Sequence, residues 1–512
     1  MNKSGGFFIF IVMLIGLSTG LGATDVQCHA DLEHSVIQVF AHSAEFDWIT
    51  PYKTPKAKTA AGTGFFISDD GYLLTNFHVI NAARSVRVVI PCLGCESFEA
   101  TLIGVCPRAD IALLRIQEKG IEAIKKQLGC IPYLHLGNSD EVTQRDSVFV
   151  VGYPLGFRYL KVTSGIIGGR EYLGGMSYLH VTAALNQGNS GGPAINAVGE
   201  VIGVNAAGIN QAQNMGYMIP INDIKILLAD LHTTKLLRKP ILGILSNSTT
   251  NEHARSLNNP IPAGCLINYV YPESLAEQAG FKIGDMIYEV NGHIVDRFGD
   301  IAVSHDSEKI CLEEFLGHQP LHSTISFIVY RYGERLSFSV IWEGDKPLYS
   351  SRTIYPFFED EFGLDYEVIG GMVVMQWRRN HRDYFMKTYG THALEDAALQ
   401  QIIFNPLYAM KKALVIVKKL DGSLVDRTNC FTDSFLLKTV NGKEVETLED
   451  FRAALLLSSQ TGTLAISMHS GASTVFSLKD IFDEEFRMRK DFMIPLSSTI
   501  QSLYDEYMKN KK

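Results

Sequence analysis

The chain lacks an excess of positive charge. Its 512 residues include 46 Lys and Arg against 55 Asp and Glu, which gives a formal net charge of −9. A nucleic-acid-binding protein needs a clustered basic surface, so we expect no nucleic-acid partner. The chain is not poor in apolar residues, however: 46% hydrophobic and 20% charged residues are typical of a folded globular protein. The length predicts about three domains.

Cysteine is also scarce. Eight cysteines are too few, in a chain of this length, for a scaffold held together by disulfides. Cys92 and Cys95 form a single CxxC motif near Cys106, but no second pair of ligands stands at metal-binding spacing. We therefore expect no metal and no cofactor. Buried thiols and a local disulfide bridge both stay open for these cysteines.

Long apolar runs are confined to the N-terminus. Lys3 is followed by FFIFIVMLIGL at residues 7–17 and then by small residues up to Ala23. This order is that of a secretory signal peptide, which we predict at residues 1–23. A retained membrane anchor is the alternative, but the run falls short of the roughly eighteen apolar residues of a usual span. We expect export and no stable membrane span after cleavage.

Residues 60–220 contain many short β patterns. The segment GTGFFISDDGYLLTN has apolar runs on both sides of Asp70-Gly71, which predicts a hairpin. Further short apolar segments follow with turn residues between them, so we predict a mostly β domain, either a barrel or a sandwich. Ile224, Leu227, Leu228 and Leu231 then repeat at helical spacing. We expect this helix to close the β region, before a linker that ends in Pro240.

The second half of the chain contains an internal repeat. EVNGHIV at residues 289–295 and TVNGKEV at residues 439–445 share the pattern V-N-G-x-x-V. Each predicts a strand, an Asn-Gly turn and a return strand, and we interpret them as two copies of one module. Thr447 and Asp450 predict a capped helix after the second copy. From residue 482, charged and apolar residues at helical spacing predict a helical tail.

Three polar residues of the β region point to nucleophilic catalysis when they are considered together. His78 lies in LLTNFHVI, Asp110 in RADIALLRI and Ser190 in NQGNSGGP. Alone, each is best explained as an ordinary histidine at a strand end, a turn aspartate or a turn serine. Together they follow the order His, Asp, Ser of the chymotrypsin arrangement. The glycines around the serine also allow backbone N–H groups to form an oxyanion hole.

These segments, with NMGYMIP at residues 214–220, resemble the Deg/HtrA serine endopeptidases over roughly residues 55–235. The resemblance implies a chymotrypsin-like double β-barrel. It also implies that His78 is the general base, Asp110 its orienting acid and Ser190 the nucleophile. The N–H groups of Gly188 and Ser190 would hold the oxyanion, and Leu185 would line a small apolar S1 pocket. Residues 206–214 would form the mobile loop that shapes this pocket.

The chain departs from the family pattern at two positions beside the oxyanion loop. Thr182 stands where many relatives have Asp, and Gln187 stands where they often have Pro or Arg. Both changes bear on activation and rate, whereas the three catalytic residues are present. The segment 45–60 is short, which predicts that the long regulatory loop of some members is absent.

The second half resembles PDZ domains. ILGIL at residues 241–245, followed by PAGCLINYVYPESLAEQAGFKIGDMIYEVNG, is similar to a PDZ domain that binds an extended C-terminal peptide. Ile241, Leu242, Gly243 and Ile244 would form its carboxylate loop and the start of its binding strand. FLLKTVNGKEVETLEDFRAALL and FGLDYEVIGGMVVMQW most resemble Deg members with a degenerate second PDZ domain, which serves assembly. For either module, an α+β domain without a ligand stays the alternative.

The predicted fold is therefore mostly β, a double β-barrel followed by two α+β PDZ-like domains. The predicted order is a signal peptide (1–23), a trypsin-like protease domain (24–235), a PDZ domain (236–345), a PDZ-like domain (346–481) and a helical tail (482–512). By resemblance, the chain is a periplasmic, ATP-independent, homo-oligomeric endopeptidase, trimeric or hexameric, that degrades unfolded proteins. A non-catalytic holdase or peptide-binding sensor is the alternative. A regulatory protease with one dedicated substrate is a third possibility.

Overall fold

The computed structural model describes residues 31–94, 96–173, 175–208, 215–303, 309–343, 364–389, 412–428 and 435–511. The predicted signal peptide, Cys95 and positions 209–214 of the predicted mobile loop lie outside this set. Within it, no helix is long and apolar enough to cross a membrane, and no group of His, Cys, Asp and Glu side chains is arranged to hold a metal ion. Cys106 is a buried free thiol, whereas Cys130 is disulfide-bonded.

The first six strands form a closed antiparallel barrel in the order β1-β2-β3-β6-β5-β4. The predicted hairpin at Asp70-Gly71 joins β2 to β3, and Phe65 pairs with Leu74 across it. Gly71 has a φ of 84°, which only glycine adopts readily. The elements are α1 (Leu32–Ser35), β1 (Val36–Glu45), β2 (Lys56–Phe66), β3 (Tyr72–Thr75), α2 (Phe77–Ile80), β4 (Ala83–Val89), a 3-10 turn (Pro91–Leu93), β5 (Ser97–Cys106), a second 3-10 turn (Pro107–Ala109), β6 (Ile111–Ile116) and α3 (Glu118–Leu128).

The next six strands form a second closed barrel in the order β10-β11-β12-β9-β8-β7. The predicted double β-barrel is therefore confirmed. The predicted helix follows it, and Ile224, Leu227 and Leu231 are buried in a core shared by both barrels. The elements are β7 (Ser147–Gly152), a 3-10 turn (Pro154–Gly156), β8 (Lys161–Leu173), β9 (Met176–Val181), β10 (Pro193–Ile195), β11 (Val201–Gly208), β12 (Gly216–Pro220) and α4 (Ile221–Thr233).

A first module follows the barrels, between Ile244 and Ile341. Its main sheet has the order β13-β14-β15-β19-β20, so β13 is an edge strand. Strand β16 pairs with β15, and β17 pairs with β18 in a separate ribbon. The elements are β13 (Ile244–Asn247), α5 (Asn251–Ser256), β14 (Cys265–Val270), α6 (Leu275–Ala279), β15 (Met286–Val290), β16 (His293–Ile294), β17 (Asp300–Ile301), β18 (Ile310–Cys311), α7 (Leu312–Gly317), β19 (Thr324–Arg331) and β20 (Glu334–Ile341).

A second module, between Tyr366 and Asn510, has a sheet in the order β21-β22-β23-β24-β26-β27, with β25 paired to β24. The elements are β21 (Tyr366–Ile369), β22 (Met372–Gln376), α8 (Arg379–Tyr389), β23 (Leu414–Lys419), α9 (Leu424–Thr428), β24 (Phe435–Val440), β25 (Lys443–Glu444), α10 (Leu448–Leu456), α11 (Ser458–Thr461), β26 (Thr463–Met468), β27 (Ser473–Ser477), α12 (Leu478–Phe492) and α13 (Ser498–Asn510).

The predicted sequence repeat corresponds to a structural one. Asn291-Gly292 joins β15 to β16 and Asn441-Gly442 joins β24 to β25, with φ of 48° and 79° in the first turn and 50° and 76° in the second. Two consecutive positive φ values are those of the hairpin turn that Asn-Gly favours. The two predicted strand–turn–strand units are thus confirmed.

The C-terminal helices belong to the second module's core. Ile481 and Phe482 of α12, and Ile500 and Leu503 of α13, are buried in one cluster with the sheet. The predicted boundary between residues 481 and 482 falls within α12. The predicted domain limits stay predictions, but the predicted tail is helical and is packed on the sheet.

Both modules contact the barrels. In the first module, the carboxylate of Glu314 on α7 accepts a hydrogen bond from the Ser177 hydroxyl of β9. In the second module, an apolar cluster around Trp377 packs against Trp48, Ile49 and Tyr52, which lie between β1 and β2. The short β1–β2 connection therefore reaches the C-terminal part of the chain.

Candidate active site

His78 and Asp110 form a hydrogen-bonded pair at the edge of the first barrel. The Nδ1 atom of His78 lies 2.7 Å from Oδ2 of Asp110, and the backbone N–H of His78 donates to Oδ1 at 2.9 Å. One carboxylate thus fixes both the ring and the backbone of the histidine. An Nδ1–H bond to a carboxylate leaves Nε2 as the proton acceptor of the neutral ring. The His78 side chain is 48% exposed, so Nε2 has room to meet a substrate.

The local sequence explains how this pair forms. Asp110 follows the 3-10 turn Pro107–Ala109 and has a φ of 50°, in the left-handed region that Asp tolerates better than most residues. Its carbonyl oxygen accepts the backbone N–H of Phe77 at 3.1 Å and the side-chain amide of Asn76 at 3.0 Å. The Asp110 backbone therefore holds the start of α2, the helix that carries His78. Burial, followed by the negative charge of Asp110, raises the pKa of Tyr178.

Ser190 lies in the loop between β9 and β10, which packs against the segment that leads to His78. Gly191 has a φ of 82°, and a Cβ there would lie 2.3 Å from the Thr63 carbonyl oxygen and 2.9 Å from the Asn76 nitrogen. Only glycine fits this contact. The Ser190 hydroxyl donates to the Ala206 carbonyl oxygen at 3.0 Å. Within the described chain, no hydrogen bond joins Ser190 to His78.

The predicted oxyanion donors have free N–H groups in this structure. Among the described residues, the backbone N–H groups of Gly188 and Ser190 donate to no protein acceptor. Gly188 has a φ of 102°, and a Cβ there would lie 2.5 Å from the Tyr153 carbonyl oxygen. The neighbouring Gln187 carbonyl accepts the Leu155 N–H at 2.6 Å. The loop is thus held against residues 153–155, with two donors left for a ligand.

Thr63 was not singled out from the sequence, yet it joins the two barrels beneath this loop. Its fully buried hydroxyl donates to the Gly188 carbonyl at 2.7 Å and accepts the Tyr153 N–H at 3.0 Å. Its backbone N–H donates to the Ser190 carbonyl at 2.9 Å. In the sequence, Thr63 lies in the segment GTGFF, which indicates only an ordinary threonine in a strand.

Leu185 and the two family departures lie around the same loop. A Cβ on Gly216 would lie 2.8 Å from Cδ1 of Leu185, so the leucine covers this glycine and packs on the core of the second barrel. Thr182 extends the pairing of β8 with β9, because its hydroxyl accepts the Ile166 N–H at 3.0 Å. The side chain of Gln187 is exposed.

The predicted carboxylate loop stands at the edge of the first module. Gly243 has a φ of 82°, and its carbonyl accepts the Tyr271 N–H at 2.9 Å. Among the described residues, the N–H groups of Leu242 and Gly243 donate to no protein acceptor. The loop opens onto a cavity of about 80 Å³ whose apolar lining comes mostly from the first module, with Leu227 from α4, while two cations come from outside the module. The lining includes Leu242, Leu312, Leu316 and Trp342, together with Arg108 and Lys239.

Comparisons with known proteins support this description. The trypsin-like peptidase domain matches residues 62–204, and the PDZ domain matches residues 266–302. A probable periplasmic serine endoprotease DegP-like from Marinomonas sp. (strain MWYL1) is 32% identical over 56% of this chain and 57% of its own length. Periplasmic serine endoprotease DegP of Escherichia coli (strain K12) is 31% identical over 54% of this chain and 56% of its own length. The chain thus matches less than two thirds of each relative.

A eukaryotic protein and a solved structure also match part of the chain. Serine protease HTRA1 of Xenopus laevis is 30% identical over 53% of this chain and 60% of its own length. A solved structure of the HtrA-type protease AlgW with a decapeptide shares 24% identity with a TM-score of 0.48, over 62% of this chain and 97% of that one.

Proposed function

The chain belongs to the Deg/HtrA family of serine proteases, and from this premise we propose that it is an endopeptidase with His78, Asp110 and Ser190 as its triad. The single observation that carries the proposal is the bond from the His78 ring to Asp110, at 2.7 Å. This bond sets the tautomer that a general base needs.

In the proposed mechanism, Ser190 Oγ attacks the scissile carbonyl carbon while Nε2 of His78 takes its proton. The carbonyl oxygen becomes an oxyanion, which the N–H groups of Gly188 and Ser190 stabilise. The C–N bond then breaks as His78 returns the proton to the leaving amine. Water, deprotonated by His78, releases the acyl group and restores the hydroxyl. Rotation of the Ser190 side chain away from Ala206 precedes the attack.

We propose unfolded or partly extended polypeptides as substrates. The first module would capture an extended C-terminus by strand addition to β13, with the free N–H groups of Leu242 and Gly243 on its carboxylate. Leu185 would contact a small apolar side chain at the cleavage site. The word periplasmic in the names of two relatives supports export to the periplasm. A role in protein quality control there belongs to the same proposal. Assembly into trimers or hexamers through the barrels belongs to the same proposal.

The test is hydrolysis of unfolded casein by the wild type, Ser190→Ala and Asp110→Asn. Ser190→Ala should abolish cleavage, and Asp110→Asn should lower kcat/KM on the order of 10⁴-fold, because Nδ1 would lose its carboxylate acceptor. Both variants should keep the wild-type circular dichroism spectrum and oligomer size. Casein cleavage by Ser190→Ala at the wild-type rate would refute the proposed nucleophile.

The hydrogen bond from Ser190 to Ala206 gives one observation in favour of a non-catalytic holdase, because the hydroxyl donates its proton to a carbonyl oxygen and not to His78. An assay of the suppression of casein aggregation separates the two functions. A protease that has no holdase role should suppress aggregation only through cleavage, so Ser190→Ala should lose the effect. Full suppression by a wild type that cleaves nothing would support the holdase.

A further inference from the structure

The two modules build the same loop in front of equivalent strands. Gly243 precedes β13 and Gly371 precedes β22, with φ of 82° and 92°. A Cβ on Gly243 would lie 2.3 Å from the Cβ of Ser274, and a Cβ on Gly371 would lie 2.2 Å from the Cβ of Ser423. Each serine stands immediately before the next short helix, α6 or α9. The segment 369–372 is therefore the counterpart of the carboxylate loop 241–244.

The backbone hydrogen bonds of the two loops also correspond. In each module the glycine carbonyl accepts an N–H from the end of the next strand, and the preceding carbonyl accepts an N–H from the following helix. The bonds run from Tyr271 to Gly243 (2.9 Å) and Ala276 to Leu242 (2.9 Å) in the first module, and from Leu420 to Gly371 (2.8 Å) and Val425 to Gly370 (3.4 Å) in the second. By this correspondence β22 is the peptide-binding strand of the second module.

The modules differ in what lies beside that strand. In the first module β13 is the edge of the sheet, whereas in the second module β21 pairs with β22. The pairing is antiparallel, from Tyr366 opposite Met375 to Ile369 opposite Met372. A PDZ ligand adds to this same edge as an extended strand that ends at the carboxylate loop. Strand β21 has this direction and ends at the loop, so it occupies the position of a ligand.

Helix α10 holds β21 in this position. It corresponds to α7, which lines the cavity of the first module. Arg452 of α10 donates to both carboxylate oxygens of Asp365, at 2.6 and 2.8 Å, to Glu367 at 3.2 Å and to the Tyr366 carbonyl at 3.1 Å. The hydrogen bond to Asp365 raises the pKa of Arg452. One guanidinium thus joins the helical wall of the groove to three consecutive residues.

A carboxylate also reaches the loop of the second module. Oε2 of the fully buried Glu485, on α12, accepts the Gly370 N–H at 2.8 Å. Burial raises the pKa of Glu485, and the charge of Arg489 opposes that shift. Arg489 donates to Glu485 at 2.9 Å and also to the carbonyl oxygen of Val368 in β21. Gly370 corresponds to Leu242, whose N–H is a proposed carboxylate donor in the first module.

We propose that the second module is a peptide-binding groove whose ligand is a strand of the same chain, Tyr366–Ile369, with Glu485 in place of the ligand's carboxylate. Arg452 is the latch that keeps the strand in the groove. Free peptides are consequently captured by the first module alone. The second groove accepts an extended peptide with acidic residues and an apolar end once its own strand is displaced.

The displacing substitution follows from the strand pairing. The N–H of Val368 donates to a Glu367 carboxylate oxygen, and its carbonyl oxygen accepts from Arg489. The polar groups of Val368 thus point away from β22, and in an antiparallel ladder those of Glu367 then point toward it. Proline at position 367 removes the backbone N–H that pairs with β22 and also the side-chain contact with Arg452. Glu367→Pro should therefore displace β21 from the groove.

Binding is measured by fluorescence anisotropy with a fluorescein-labelled LDYEVI peptide whose carboxyl terminus is amidated, because Glu485 still occupies the carboxylate position. All proteins carry Ser190→Ala, to prevent cleavage of the probe, and Gly243→Val, to close the first loop. Without further change, the second groove should bind no probe. With Glu367→Pro, one probe should bind per chain. Its dissociation constant should be at least roughly tenfold lower than any value measured for the chain without Glu367→Pro. The proposal would be overturned if the chain without Glu367→Pro bound the probe saturably. It would also be overturned if a folded chain with Glu367→Pro bound no probe.

Amide hydrogen exchange tests whether Arg452 holds β21 in the groove, and it does not require β21 to be displaced. It therefore also tests the proposal if the Glu367→Pro chain does not fold. In the wild type, the amides of β21 should be as protected as those of β22. Arg452→Gln should speed exchange in β21 by roughly tenfold or more, whereas the matched control Arg255→Gln, an exposed surface ion pair, should leave it unchanged. An unprotected β21 in the wild type would refute the occupied groove, and unchanged exchange in Arg452→Gln would refute the latch.

Discussion

Thr63 connects the two barrels through one hydroxyl group. It satisfies the Gly188 carbonyl and the Tyr153 N–H in a fully buried site, so the shape of the predicted oxyanion loop depends on a residue of the other barrel. Thr63 touches no reacting atom, and we assign it a positioning role.

Thr63→Val should slow casein hydrolysis by lowering kcat with little change in KM. It leaves a buried donor and a buried acceptor unpaired, at a cost of about 1–3 kcal/mol in the free energy of unfolding. Thr63→Ser keeps the hydroxyl and is the matched control. Steady-state kinetics and thermal unfolding of both variants check this, and the role is wrong if Thr63→Ser loses as much kcat as Thr63→Val.

At this scale the sequence predicted some features of the site and not others. His78 and Asp110 stand in distinctive segments, and their pairing could be anticipated from motif order. The hydrogen bond from Ser190 to Ala206 could not be anticipated, because it depends on the χ1 rotamer of Ser190 and a side chain has several staggered rotamers of similar energy. Thr63 was missed because its role arises only where two closed barrels meet.

The turns and caps of the second module show how far local chemistry determines an element. Asn441-Gly442 forms the expected hairpin turn. Thr447 and Asp450 form the expected reciprocal cap of α10, with Asp450 N–H donating to the Thr447 hydroxyl at 3.1 Å. These features need only neighbouring residues, so they could be predicted. The pairing of β21 with β22 could not be predicted, because the sequence of a four-residue strand does not determine which sheet edge the strand joins.

Thr447→Ala should destabilise α10 by about 1 kcal/mol, since the helix would lose a side-chain acceptor for an N-terminal N–H. Amide exchange within α10 should then become about fivefold faster through local opening. Thr447→Ser retains the hydroxyl and should exchange as the wild type does. Equal exchange rates in Thr447→Ala and wild-type protein would contradict a stabilising cap.

At the scale of the whole molecule, two histidine–aspartate pairs join the first module to the barrels. His318 Nε2 lies 3.4 Å from Asp223 of α4, and His322 Nε2 lies 3.8 Å from Asp230 of the same helix. Burial is the largest effect on the pKa of His318 and lowers it, and the charge of Lys239 lowers it further. The hydrogen bond and charge of Asp223, together with the charge of Glu314, raise the pKa by more. The net pKa is raised.

Because the folded-state pKa of His318 is raised, its contribution to stability is complete below its unfolded pKa of roughly 6.5. The contribution is lost as pH rises through the folded-state value. His318→Asn should therefore lower the thermal midpoint more at pH 5.5 than at pH 8.5, as differential scanning calorimetry can measure. Val198→Ala, at an exposed residue without a titratable group, should show no such difference. An equal loss at both pH values for His318→Asn would argue against the charged pair.

The short β1–β2 connection has a consequence for any shortened form of the protein. Trp48 lies edge-on to His381 of the second module, with ring centroids 5.1 Å apart, and burial lowers the pKa of His381 to about 3, so this ring stays uncharged at neutral pH. Burial, then the charges of Asp421 and Asp47, raises the pKa of Tyr52 to about 12. A proteolytic fragment that ended after the first module would expose these aromatic rings beside the two barrels. Such a fragment should aggregate more readily than the full chain, because the second module covers this apolar surface.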